Sequence, residues 1–270
     1  MNNPEIDDNL LRAMAQAQGS NHYTPPTMLV DLPSRGLLYP DGHPLKGKES
    51  LEIKYMTTKE EDILLNKSYV EAGVVLDKML ESVILNKRIK VEDILICDKS
   101  ALQIACRSNA YGENYQFSYV CTSCSTENEA QVDLNEVEHY KVDFDKIKED
   151  DGILVTLPIT KAVIKAKVLC GKDEKEIQSR IKQKVKHKLP EQALIERYRQ
   201  LITSVNDNED PLFISSFVRD MPIKDSRYFM KQYSSLLPGV DFTFESECSK
   251  CGTINQGGVP VGLSFFYPDE

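Results

Sequence analysis

YQFSYVCTSC, residues 115–124, and DFTFESECSKC, residues 241–251, decide the fold. Each begins with apolar and polar side chains in alternation, and a period of two puts the apolar set on one face of a β-strand. Each then ends in a CxxC pair. NEAQVDL, residues 128–134, alternates as well, so the first pair reads as the tip of a β-hairpin. The second pair follows an equivalent strand. Two similar hairpin ends can therefore face each other across one metal ion.

Thiolates two residues apart on a tight turn can both reach one zinc, which prefers four tetrahedral ligands. Cys121, Cys124, Cys248 and Cys251 are accordingly the expected ligands of a structural Zn2+. Four protein ligands leave no open position for water, which argues against a catalytic zinc. The gap from Cys124 to Cys248 is 123 residues, much longer than the gap within a compact zinc ribbon. The intervening chain must form something of its own. A thiol redox protein is an alternative, but redox CxxC pairs normally open a helix whose dipole lowers a thiol pKa, and these pairs follow strands.

The expected fold class is α+β. It has a mainly helical N-terminal region, a zinc-ribbon-like β unit built from two distant CxxC hairpins, and an inserted helical lobe. Residues 1–30 form an N-terminal arm, 31–110 the mainly helical region, 111–170 plus 238–270 the β unit, and 171–237 the lobe. Thr58 and Glu61 have capping-box spacing for a first helix, a second is expected from Tyr69 to Leu85, and a third from Asp98 to Ala110. ILVTLPI (153–159) and AVIKAKVLC (162–170) read as strands. KDEKEIQSRIKQKVKHK and PEQALIERYRQLITSV read as two helices broken before Pro190, with further helices at Pro211–Met221 and Asp225–Leu237. VGLSFFYP near the C-terminus is strand-like.

Charge and composition bound the function. Lys and Arg total 33 against 42 for Asp and Glu, a net charge of −9, so no overall basic field gathers nucleic acid or anionic lipid. No run approaches the roughly 18 apolar residues of a spanning helix, and MNNPEIDDNLLRAMAQ is acidic where a secretory signal is basic and then apolar. A soluble cytoplasmic protein is expected, and seven cysteines, an odd number, fit a reducing compartment. His22, His43, His139 and His187 read as surface residues. There is no phosphate loop, HExxH or GxSxG, so no catalytic residue is assigned. KQKVKHK, Lys182 to Lys188, is either a solvated helix face or an anion-binding patch, and the second option keeps a nucleic-acid-binding zinc protein as an alternative.

Several segments taken in order resemble the baseplate hub assembly protein family of T4-like contractile-tailed bacteriophages. These are LPSRGLLYP, MTTKEEDILLN, YVEAGVVLDKMLESVI, CDKSALQIACRSNAYGENY, the two CxxC elements, LPGVDF and the terminal FFYP, spanning residues 32–268. The resemblance implies a structural or assembly protein with no enzymatic activity, made late in the host cytoplasm. It would work where the tail baseplate hub is built, with residence in the virion and self-association left open. Its partners would be other baseplate hub proteins, without nucleic acid or membrane.

Three surfaces are candidate contacts for those partners. Leu10 and Leu11, with Ile6 and Met14, make an apolar stripe on an N-terminal helix that could dock in a groove. Leu37, Leu38 and Tyr39 stand in a turn-rich segment. Phe265, Phe266 and Tyr267 place aromatics beside the chain end, where they could anchor an interface. Each could equally be internal packing, a reading favoured for the last two sets.

Overall fold

Antiparallel pairing satisfies the alternating segments, and helices wrap them into two hydrophobic cores. The computed structural model describes residues 23–144, 147 and 152–267. The fold is α+β, with four small antiparallel sheets among the described residues. Residues 1–22, which carry the expected N-terminal helix, lie outside the described residues.

Strand β1 (Thr27–Asp31) pairs with β2 (Ser50–Lys54), turning Val30, Leu51 and Ile53 inward. Helix α1 (Thr58–Leu64) begins in a capping box, one residue earlier than expected, made by Thr57 and Glu60. Glu60 is buried and also accepts from Lys54 Nζ at 2.7 Å and from Ser82, whereas Glu61 is exposed. Only the inward carboxylate has both the cap and a cation to join. The helix expected from Tyr69 to Leu85 is two: α2 (Lys67–Ala72) and α3 (Val75–Val83). Gly73 separates them in a left-handed conformation, φ 70°, a common way for a helix to end. Helix α4 (Ile96–Tyr111) follows. The 114–133 hairpin forms as expected, from β3 (Asn114–Val120) and β4 (Glu127–Asp133).

The Glu60 carboxylate gives this core an acid sensitivity. Burial alone would raise its pKa, but hydrogen bonds from Lys54, Ser82 and Thr57 outweigh that and hold it at about 2, below the ordinary 4.5. A folded-state pKa below the unfolded one adds stability that is fully present above 4.5 and is lost as pH falls toward 2. Glu60→Gln should therefore be less stable than the parent at neutral pH, with the gap narrowing through that window. Urea midpoints measured against pH test this, and a gap independent of pH would refute it.

A second core follows in sequence. Strands β5 (Ile153–Thr156) and β6 (Val163–Ala166) lead to α5 (Gly171–Lys186) and α6 (Ala193–Leu201). Strand β7 (Ile202–Val205), α7 (Pro211–Asp220) and α8 (Ile223–Leu236) complete it. Two sequence expectations change here. PEQALIERYRQLITSV is not one helix, because β-branched Ile202 and Val205 pair with Ala166 and Ile164 of β6 as a strand. Asn206 locks that end, its side chain accepting from Val163 N at 2.8 Å. The strands at 153–166 also do not join the cysteine hairpins. They form a three-stranded sheet, β5-β6-β7, whose Ile153, Ile164 and Ala166 pack with Leu201 and Phe229. Strand partnership is a long-range property, and local alternation does not carry it.

The chain then returns to the first core through β8 (Thr243–Glu247) and β9 (Ile254–Gly258). The outgoing and returning segments pair at a neck, with Tyr140 N donating to Gly239 O at 2.9 Å and Asp241 N to Glu138 O at 2.7 Å. Ile96 N to Leu169 O and Gly171 N to Ile94 O, both 3.0 Å, join the cores a second time. VGLSFFYP is not a strand. Consecutive Phe265 and Phe266 are both fully buried, which strict alternation forbids, and a short 3-10 helix (Leu263–Phe266) turns both inward.

Candidate metal centre

The two hairpins β3–β4 and β8–β9 pack face to face. Phe117 and Tyr119 of β3 meet Phe244 of β8 at ring-centroid distances of 5.0 and 5.1 Å, and Tyr119 OH lies 3.2 Å from Ser246 Oγ. This aromatic layer sets both turns side by side at one end. Cys121 follows β3 directly and Cys248 follows β8, and both are buried; Cys124 is half-buried and Cys251 exposed.

Each turn is built the same way. Cys121 N donates to Thr126 O and Cys248 N to Thr253 O, both at 2.9 Å. Ser125 N returns to Cys121 O at 3.0 Å, and Gly252 N to Cys248 O at 2.9 Å. Ser125 and Gly252 both take left-handed conformations, φ 55° and 70°, which turns the chain so that both thiols of a pair point the same way.

The sulfurs approach one another across the two hairpins. Cys121 Sγ lies 3.7 Å from Cys251 Sγ, and Cys124 Sγ lies 3.6 Å from Cys248 Sγ. All four sulfurs fall within 4.8 Å of one another, a set that can hold one metal ion. Amides of Cys124 and Ser123 aimed at the Cys121 thiol draw its pKa down to about 6, and those of Cys251 and Lys250 lower that of Cys248. Both favour the thiolate that binds metal. Hydrogen bonds from Thr253 lower Cys251, but its contacts with the Cys124 and Cys248 sulfurs and burial outweigh them and raise it; outside the centre, burial pushes Cys106 up to about 12 and raises Cys97 and Cys170.

The structure adds residues that cysteine spacing alone did not reveal. Asn128 accepts from Ser249 N (3.0 Å) and Ser249 Oγ (2.8 Å) on the opposite turn, and its amide reaches Cys248 Sγ at 3.5 Å. Asn255 repeats this in mirror order, accepting from Thr122 N and Oγ1 at 3.0 Å and reaching Cys121 Sγ at 3.6 Å. Each asparagine thus binds the other hairpin's turn. Thr126 and Thr253 lie beside Cys124 and Cys251, each 3.3 Å from sulfur to hydroxyl. The signal is in the sequence: CTSCSTEN (121–128) laid over CSKCGTIN (248–255) matches at both cysteines, the threonine and the asparagine. Reading the pairs as bare CxxC stops short of it.

Outer partners that orient ligands typically change metal affinity by about 10–100-fold when removed. Asn128→Ala combined with Asn255→Ala should weaken metal binding by at least the lower figure in competition with a chromogenic chelator. Unchanged affinity would leave the asparagines as loop ties only.

Of the side chains considered as partner contacts, several are interior. Tyr39 is buried, its hydroxyl on Asp98 at 2.8 Å beside Ser34, whose N and Oγ donate to the same carboxylate at 2.9 and 2.6 Å. Phe265 and Phe266 lie in the first core, so these three follow the internal-packing alternative. Leu37 is exposed and Leu38 half-buried. Tyr267 is exposed, its hydroxyl donating to Leu64 O. Leu10 and Leu11 fall outside the described residues. Within the basic run, Lys184 is held by the buried Glu196 at 2.6 Å, while Lys182 and Lys186 project from another face of α5.

This is a mixed α+β protein in which two sequence-distant β-hairpins share one four-thiol centre. A family model described as T4 bacteriophage base plate protein matches residues 42–267, and the chain belongs to that family. The match spans both cores and both cysteine pairs. No curated protein and no solved structure matches significantly. Among the described residues, no helix is long and apolar enough to cross a membrane.

Proposed function

We propose that this baseplate protein serves in the tail hub, as a component or assembly factor that binds other hub proteins, and that Zn2+ in the four-cysteine centre staples it. The convergence of the sulfurs carries the zinc reading. A tetrahedron with Zn–S bonds of about 2.3 Å has edges of about 3.8 Å, and the cross-hairpin pairs stand at 3.7 and 3.6 Å. The ion would make the facing hairpins a zinc-ribbon-like unit whose two halves lie on either side of the second core in sequence. Four thiolates fill its coordination, so it has a structural and not a catalytic role. Family membership supports the tail location, and the acidic net charge of −9 favours protein over nucleic acid as partner.

Assembly would take place in the host cytoplasm before the protein joins the tail. The test is to tag the protein, express it during infection by its phage, and identify what co-purifies. Recovery of hub proteins in fixed ratio is expected. Recovery of nucleic acid or host enzymes alone would overturn the reading.

A further inference from the structure

A cleft of about 950 Å3 lies between the two cores. One wall is α5, which presents Lys175, Ser179, Lys182 and Lys186 at helical spacing. That row extends about 16 Å along the axis, close to three turns. Away from α5 the lining includes the aliphatic side chains of Val70, Val74, Leu76, Val261 and Leu263. Val70 and Val261 are 37% and 39% exposed, leaving apolar surface for a partner to cover.

The lysines on this wall have different duties. Lys175 bridges to Asp77 of α3 at 2.8 Å, and Lys99 of α4 reaches the same carboxylate at 2.5 Å. That triad ties α5 to α3 and α4 within the lining of the cleft. Lys182 and Lys186 form no ion pair among the described residues, and Glu174 is the other acidic group on the walls, near the opposite end of α5. In a chain of net charge −9, two adjacent cations in a cleft with aliphatic lining are a local reversal of sign.

We propose that this cleft receives an amphipathic helix from another tail protein, with aliphatic residues at i, i+4 and i+7 against Val70 and Val261 and carboxylates beside Lys182 and Lys186. Charge complementarity selects the acidic flank, and the length of the lysine row matches a helix of about three turns. The inference deepens the reading of the chain as a binder of tail proteins and does not depend on the metal.

The test uses the full chain, labelled, on an array of overlapping peptides covering the phage's tail proteins and this chain itself. The parent protein is compared with the double variant Lys182→Glu, Lys186→Glu and with Val261→Asp. All three sites are solvent-facing, and zinc per chain is measured on every sample. The expected result is binding to an acidic amphipathic segment of another tail protein, weakened at least tenfold by each variant while zinc content stays constant. A version of that peptide with lysines replacing its acids should regain binding to the double variant. Absence of any such segment, or binding insensitive to the variants, would overturn the proposal. So would capture of this chain's own residues 1–22, which would assign the cleft to a second copy, or displacement by a short oligonucleotide as effective as the peptide. Loss of zinc from the parent itself would contradict the metal reading instead.

Discussion

Cys248→Ser is expected to lose the metal and to lower the melting temperature by about 10 °C. The proposed staple would join chain segments separated by 123 residues between Cys124 and Cys248. Closing a loop of that order removes about 4–5 kcal/mol of unfolded-chain entropy, and each kcal/mol moves the Tm of a large domain by about 2–4 °C. The separate aromatic layer of Phe117, Tyr119 and Phe244 moderates the fall by holding the hairpins together without the ion. Cys121→Ser should behave alike, since the two half-sites are equivalent. Calorimetry with metal analysis on the same samples is the check. Full zinc occupancy in either variant would sink the shared site.

Phe265→Ala should cost more than any substitution at the exposed face of the C-terminal segment. The ring is fully buried and meets Tyr115 edge-on at a centroid distance of 4.7 Å, with Phe242 at 5.8 Å and Phe266 at 5.4 Å. Its carbonyl accepts from Arg107 Nε at 2.8 Å, so the same residue anchors a nearly buried guanidinium. Truncating a buried phenylalanine costs about 3–5 kcal/mol in lost transfer energy and residual cavity. Tyr267→Phe, which removes only the hydroxyl bonded to Leu64 O, should cost about 1 kcal/mol. Denaturant midpoints for both variants measure the contrast. Equal effects would mean that the segment is a surface feature and not part of the core.

These residues show where sequence reasoning reached and where it stopped. YQFSYV and DFTFES announced their strands because one face of each is apolar, and the cysteines placed immediately after them located both turns. Whether the turns would meet rested on the zinc argument alone until the structure brought the sulfurs together. The asparagines escaped notice because their partners lie across the site, although the repeated C-x-x-C-x-T-x-N was available to alignment. ITSV was absorbed into a helix since Ile202 and Val205 also fit a helical stripe, and only pairing with β6 distinguishes the two. SFFYP read as a strand whose aromatics could face a partner or the interior, because burial of adjacent residues in a short 3-10 turn leaves no periodic mark. The joining of 153–166 to the second core is likewise a matter of tertiary pairing. Gly73 was legible in principle as a helix stop, but the apolar series from Val70 to Ile84 runs across it.

The most direct test of the account is zinc K-edge X-ray absorption, with metal quantitation, on protein purified without added metal. One zinc per chain surrounded by four sulfurs at about 2.3 Å is the predicted result. Less than stoichiometric zinc, oxygen or nitrogen in the coordination sphere, or disulfides between these cysteines would contradict it.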